Sequence, residues 1–393
     1  MSSSKFRITA PVSAAIVAIM LLFASNLWLA RQTNLSRESK LDPHLSDALV
    51  VSQFCASETK QPDIALLGSS LVAVASVQAA AIAVNKPVDR LSHRQSEFFD
   101  RALHTNLGMN ANTVCLALGG AMASDAYLLT KHVLNGAERP RAIVYGISVR
   151  DFQDNLMFGV ETSEAFKLFY GLDDLPDIWQ LPRVTADTKL ALTLAAFSPL
   201  WENRAILSKQ VMATALKPVS DNYPLLLKPE ASTLVSTMKI DGPLAPGEAV
   251  SHPTGERMKE AYQMRYSPLA PHQIRTQLAY FNRLLALCNQ RHVPILVVNM
   301  PISTDNVAIM PPKLYQYYLT ETQKLCKQNS VEFQDLNKQP LNQSSNFLET
   351  VHLNPQGSTA FFDALAKTVG TSAVAQSLPG NPHYAAVNKP GSL

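Results

Sequence analysis

Cysteine is scarce in this chain. Cys55, Cys115, Cys288 and Cys326 are the four in 393 residues, and no two are close in sequence. That spacing excludes a thioredoxin-type pair and the usual thiolate zinc sites, which need closely spaced thiols. Cys115 falls in an apolar run and reads as core. Cys288 and Cys326 each end a helix-like stretch, so an exported protein can join them or keep all four as buried thiols; both readings stand. Glycine is thin as well, with 15 residues and no G-x-G-x-x-G or G-x-x-x-x-G-K-[ST] sequence. Dinucleotide and P-loop phosphate cradles are therefore excluded, and no cofactor is called for. Charged residues make up only 17%, with 34 basic against 31 acidic side chains, a net charge of +3 and no basic block. Nucleic acid has no electrostatic footprint here. No internal repeat is evident.

Apolar material is abundant, at 47% of residues, and it suffices for one large domain or two ordinary ones. Part of it is collected near the N-terminus. Lys5 and Arg7 precede an uncharged run over 8–30 that Arg31 closes. At roughly 1.5 Å per residue a helix over this run reaches about 35 Å, more than the ~30 Å of a bilayer's hydrocarbon core. Trp28 beside Arg31 suits the far interface, where an amphipathic ring and a cation both sit well. The run predicts a single-pass transmembrane signal-anchor over 8–30, with a cytoplasmic tail over 1–7. A juxtamembrane stalk over 31–62 then leads to an extracytoplasmic body, periplasmic or at the cell surface. A cleaved signal peptide and a buried helix are the competing readings, although Ser25-Asn26-Leu27-Trp28 makes a poor cleavage site.

Beyond residue 62, short apolar runs alternate with helix-like stretches. Strand-like runs stand at 64–67, 114–118, 142–147, 295–298 and 331–333. The first three end at Gly68-Ser69-Ser70, at Gly119-Gly120 and at Ser148-Val149-Arg150-Asp151. Ser124 is a candidate N-cap for a helix that stops near Asn135-Gly136. Ile274, Leu278, Phe281, Leu285 and Cys288 recur at helical spacing, and a further helix is expected over about 313–327. Asn354 and Pro355 open a last helix that Gly370 can end. This alternation predicts an α/β fold, a three-layer α/β/α sandwich on a mostly parallel, flavodoxin-like sheet spanning 63–370. The stretch at about 152–271 breaks the alternation and reads as a helical insertion, with an amphipathic candidate at 200–216. The tail over 371–393 has the composition of a segment without fixed structure.

In sheets of this kind, sites form at the carboxyl ends of the strands, and the chemistry-bearing residues cluster there. A serine hydroxyl needs a base to become a nucleophile, and a strand-to-helix turn presents one to helix N-terminal amides that favour negative charge. Ser70 meets that description. His352 stands just before a capped helix, three residues after Glu349, so one short loop supplies a base and a carboxylate to orient it. Gly120 can turn an N–H toward a developing oxyanion. Arg150 and Asp151 form a polar cluster at the third strand end and, with Ser69, are candidates for shaping the site.

Taken in this order, the segments resemble the SGNH (GDSL-type) hydrolase superfamily over roughly 60–150 and 270–370. Gly68-Ser69-Ser70 stands where that family has Gly-Asp-Ser, Gly119-Gly120-Ala121 where it has its oxyanion glycine, and Glu349-Thr350-Val351-His352 where it has Asp-x-x-His. Gly146-Ile147-Ser148-Val149 stands where Gly-x-Asn-Asp is usual, so Ser148 takes the place of the oxyanion asparagine. The Gly-Ser-Ser form and the anchored layout look most like the DltD-like branch and the envelope-polysaccharide O-acetyltransferases. The resemblance implies a Ser70–His352–Glu349 triad and an oxyanion site from Ser70, Gly120 and Ser148, with no metal. It implies a membrane-anchored acyltransferase or esterase acting on envelope polysaccharide or lipid esters, with a membrane-bound acyl-transfer partner. A non-catalytic envelope binding or assembly protein of the same fold is the alternative.

Overall fold

The computed structural model describes residues 46–197, apart from 59, 137, 158 and 181–185, together with residues 255–379. Of the N-terminal run it describes Val17, Met20, Leu21, Ala24 and Trp28, all helical and exposed. Among the described residues no helix is long and apolar enough to cross a membrane. The rest of the expected anchor, the amphipathic candidate at 200–216 and the tail from 380 lie outside them.

The chain divides into two compact units, Leu41–Phe169 with Lys239–Leu393, and Met1–Lys40 with Tyr170–Met238. In the larger unit the first helix, α1 (Asp47–Ser57), is followed by β1 (Ile64–Leu67), α2 (Ser70–Val84), α3 (Glu97–Leu107) and β2 (Thr113–Cys115). Then come α4 (Ala123–Asn135), β3 (Ala142–Ile147) and α5 (Glu164–Phe169). The smaller unit contributes α6 (Leu175–Gln180) and α7 (Ala186–Phe197), joined by a Trp179 indole N–H donating to Thr193 Oγ1 at 3.0 Å. The larger unit resumes with α8 (Gly255–Tyr266), α9 (Pro271–Gln290), β4 (Ile295–Asn299), α10 (Thr304–Ala308) and α11 (Leu314–Gln328). It ends with β5 (Glu332–Asp335), α12 (Pro355–Gly370) and α13 (Ala373–Gln376).

The five strands are all parallel, in the order β2-β1-β3-β4-β5. The apolar runs of β1, β3 and β4 are buried along their whole length because helices cover both sides, whereas the edge strand β5 is polar and half-buried. The β1-to-β2 and β2-to-β3 crossovers run in opposite directions, so right-handed connections place their helices on opposite faces. Accordingly α2, α3 and α12 pack on one another, and α4, α9 and α11 form a second group. The strand order reverses between β1 and β3, and the crevice outside the carboxyl ends of those two strands is where a site is expected.

The core sits between these layers. Phe281 of α9 meets Phe152 edge-on at 5.6 Å, and Phe152 reaches the ring of Tyr318 in α11 at 5.2 Å. All five residues of the spaced set on α9, from Ile274 to Cys288, are buried as their helical recurrence requires. The four cysteines are free, and Cys288 and Cys326 are buried with their thiols pushed up to about 12 by desolvation. The disulfide reading is thereby set aside.

Several expected boundaries move. The second strand covers Thr113–Cys115 rather than 114–118, although Leu116 and Leu118 still donate their N–H groups to the Leu66 and Gly68 carbonyls and keep the chain beside the end of β1. The helix expected to be capped by Ser124 begins at Ala123, where Asp125 accepts the Met122 N–H at 2.8 Å. The stalk over 31–62 contains α1, whose Ala48, Leu49 and Val51 are core residues. Phe152 and the α8 residues Tyr262 and Tyr266 are buried as well, so the ends of the insertion belong to the main core. Residues 371–379 are not an unstructured tail either, since α13 forms there with Val374, Ala375 and Leu378 buried.

Candidate active site

Ser70 opens α2 immediately after β1. Gly68 makes this turn possible. Its φ of +153° is one that side chains rarely adopt, and a Cβ there would lie 2.5 Å from Val72 Cγ2 and 2.8 Å from the Gly146 carbonyl. The backbones at the ends of β1 and β3 thus approach closely enough to exclude any side chain at position 68. Ser70 N–H is at the first turn of the helix, where amides have no intrahelical acceptor and are available to an anion.

His352 arrives from the other end of the chain. Its loop is held by α12, where Asn354 caps the helix by accepting the Gly357 N–H at 2.8 Å and Pro355 takes the first position. The loop is further pinned where Ser303 N–H donates to the Thr350 carbonyl at 3.0 Å and Asn306 Nδ2 donates to Thr350 Oγ1 at 3.0 Å. The result brings together residues 282 apart in sequence: His352 Nε2 lies 2.9 Å from Ser70 Oγ. On the other side of the ring, Nδ1 bonds to Glu349 Oε1. Glu349 also accepts the backbone N–H groups of Thr350, of Val351 at 2.7 Å and of His352 at 3.3 Å. A buried carboxylate so supplied stays fixed, and with it the imidazole tautomer whose Nε2 accepts from the serine.

Gly120 follows β2, with φ +76°. Its loop is tied to the turn before Ser70 by Leu118 N–H donating to the Gly68 carbonyl at 3.1 Å. Gly119 N–H is taken by Asp47 at 2.6 Å, whereas no described residue accepts the Gly120 N–H. Of the pair, it is accordingly the Gly120 N–H that is left to an incoming group.

The residues after β3 form a buried polar floor. Ser148 donates its N–H to Asp151 Oδ2 at 2.9 Å, while its hydroxyl, the Ser69 hydroxyl and Asp151 Oδ1 are buried without hydrogen-bond partners among the described residues. Burial pushes the Asp151 carboxyl up to about 7, against the pull of Arg150 and of the Ser69 hydroxyl nearby. Arg150 donates Nε to Asp154 at 3.0 Å and Nη2 to the Gly120 carbonyl at 3.2 Å, and Asp154 also binds Arg265.

The structure thus joins Ser70, His352 and Glu349 directly, and it ties Arg150 to the Gly120 loop. Ser148 and Ser69 lie beneath the turn, with hydroxyls closed to solvent. Three residues escaped the sequence reading. Asp47 sits in the expected stalk. Tyr262, buried on α8, lies near enough to Glu349 and Arg150 for their charges to act on its hydroxyl. Tyr266 donates its hydroxyl to Asn306 Oδ1 at 2.9 Å, bracing the partner of Thr350. No local motif marks any of them, because their roles arise from contacts across the fold.

No family model matches the sequence, and no curated protein matches it. Among solved structures the chain is similar to a candidate acylhydrolase from Bacteroides fragilis NCTC 9343. That likeness has a TM-score of 0.32 and 9% identity, covering 81% of this chain and 93% of the other. It is also similar to a family two carbohydrate esterase from Clostridium thermocellum, solved with cellohexaose, at a TM-score of 0.32 and 11% identity. There it covers 80% of this chain and 65% of the other, so it spans just under two thirds of that esterase.

Proposed function

We propose that this chain is a serine esterase or O-acyltransferase working through a Ser70–His352–Glu349 triad. The observation that carries the reading is the relay itself, with Ser70 Oγ 2.9 Å from His352 Nε2 and Glu349 on the opposite ring nitrogen. Ser70 Oγ attacks an ester carbonyl while His352 Nε2 takes its proton, and Glu349 stabilises the imidazolium that forms. The Ser70 and Gly120 N–H groups receive the developing oxyanion. His352 returns the proton to the departing alcohol, leaving an acyl group on Ser70. Water then releases an acid, or a sugar hydroxyl takes the acyl group; each gives its proton to His352 as it attacks.

The substrate class rests on the resemblance. The apolar run over 8–30 between Arg7 and Arg31 supports an anchored, extracytoplasmic enzyme, and the likeness of the Gly-Ser-Ser form to the envelope O-acetyltransferases supports esters of envelope glycan or lipid, with a membrane-bound acyl donor as partner. The test is a fluorophosphonate probe with the purified protein. Covalent labelling is expected at Ser70, lost in Ser70→Ala. A folded protein that resists the probe overturns the reading.

A second reading, a non-catalytic envelope assembly protein, is favoured by one observation: Ser148 stands at the third strand end, with its hydroxyl buried rather than offered to a ligand. Under it, cells carrying Ser70→Ala at normal protein levels keep the protein's role. Loss of that role excludes it.

A further inference from the structure

A backbone donor serves as an oxyanion site only if its peptide is held still before the reaction. Gly120 is in a conformation that a glycine leaves easily, since it populates both signs of φ. Two side chains of opposite charge grip the loop on either side of the Gly120 N–H. Upstream, Asp47 Oδ2 accepts the Gly119 N–H at 2.6 Å, and it is near enough that a Cβ on Gly119 would lie 2.7 Å from it. Downstream, Arg150 Nη2 donates to the Gly120 carbonyl at 3.2 Å.

Neither grip is loose. Asp47 is fixed by Arg90 Nη1 at 2.5 Å, with Arg94 Nη2 3.8 Å from its other oxygen, and it belongs to the first turn of α1, capped by Ser46. Arg94 is itself buried and donates Nη1 to the Ala117 carbonyl at 3.3 Å, just before the loop. Arg150 is locked by Asp154 through both Nε and Nη2, each at 3.0 Å. Two buried ion-pair groups from distant elements, α1 and the turn after β3, thus converge on one dipeptide. A tight turn needs neither. Buried charges are costly to place unless they are paired, and here both spend a hydrogen bond on the same loop.

We propose that Asp47 and Arg150 are positioning residues that clamp the Gly119–Gly120 loop with the Gly120 N–H directed at the Ser70 acyl site. The clamp rests on the serine-esterase reading above and supplies rigidity where the third strand end brings no asparagine. Asp47 belongs to the segment that leads in from the N-terminal run, so catalytic competence depends on α1 being docked.

The experiment measures kcat and KM on p-nitrophenyl acetate, and the fluorophosphonate labelling rate at Ser70, in the full-length protein. Variants are D47A, D47N, R150M and R150K, each checked for cooperative thermal unfolding. Losing an oxyanion donor outright lowers rates by about 10²–10³, so misdirecting one is expected to lower kcat and labelling by about ten- to a hundredfold in D47A and R150M, with KM little changed. D47N keeps an acceptor oxygen for the Gly119 N–H and is expected to recover most of the loss. R150K keeps the charge without the planar fork that serves Asp154 and Gly120 together, and is expected to fall between R150M and wild type. If D47A or R150M does not fold, D47N and R150K carry the comparison, the first near wild type and the second below it. Folded D47A and R150M with wild-type kcat and labelling overturn the clamp, as does D47N no better than D47A, or losses confined to KM. A wild-type protein that neither turns over ester nor takes the probe instead overturns the esterase reading.

Discussion

Replacing Glu349 by Gln exchanges one carboxylate oxygen for an NH₂ group in a place built for an acceptor. The carboxylate receives three backbone N–H groups and the Nδ1 side of His352. The amide has one oxygen and must point its NH₂ one way or the other. Turned toward the backbone, it sets donor against donor, and stranding a buried donor costs about 1–3 kcal/mol. Turned toward His352, it donates to Nδ1, and the ring proton moves to Nε2, the atom that must accept from Ser70 at 2.9 Å. The second arrangement is the cheaper for folding and the worse for chemistry. It removes both the reactive tautomer and the charge that stabilises the imidazolium, for which a loss of about 10³–10⁴ in kcat is expected by analogy with other serine triads. At ~1.36 kcal/mol per decade this is about 4–5.5 kcal/mol of transition-state stabilisation. The assay is kcat for p-nitrophenyl acetate with E349Q, E349D and Ser70→Ala side by side, together with their melting temperatures. E349D retains the acceptor on a shorter stem and is expected to lose less than E349Q. A folded E349Q with kcat within tenfold of wild type, in a protein that Ser70→Ala inactivates, refutes the triad.

Two further outcomes follow from the same geometry. Asn354→Ala removes the cap on α12 while leaving the triad atoms in place. Losing the bond to Gly357 N–H is expected to cost about 1 kcal/mol, lowering the melting temperature by about 2–4 °C with kcat/KM nearly unchanged. A larger fall in kcat than in stability would show that the cap positions His352. The second outcome concerns pH. Burial raises the carboxyl of Asp151 to about 7, so between its ordinary value near 3.8 and about 7 the folded protein holds a proton that the unfolded chain releases. Its contribution to stability is therefore complete below pH ~4 and is lost as pH rises through 7. Asp100, also raised to about 7 by burial, acts in the same sense. The urea midpoint is expected to fall from pH 5 to pH 8, and Asp151→Asn is expected to flatten that slope; an unchanged slope in a folded variant contradicts the assignment.

Much of this protein was legible in one dimension because the relevant physics is local. Strand β1 at Ile64–Leu67 and β3 at Ala142–Ile147 stand where their apolar runs place them, since a strand buried on both faces needs nothing but aliphatic residues between turns. The Asn354 cap with Pro355 behind it is likewise a matter of four consecutive residues. Ser70, Glu349 and His352 could be singled out because a strand-end serine and a Glu-x-x-His each carry a local chemical signature. The rest depended on what the chain brings together. That His352 Nε2 reaches Ser70 Oγ across 282 positions is settled by α12 packing beside α2 on one face of the sheet. The role of Asp47 was invisible in a segment read as a stalk, because an acidic residue in a first helical turn looks like ordinary capping chemistry until Gly119 is beside it. The third strand end shows the same division. Sequence alone determined that a serine occupies position 148. Only the fold decided that its hydroxyl is buried and that Arg150 turns to the Gly120 carbonyl, because side-chain direction and burial are set by neighbours far away in the chain.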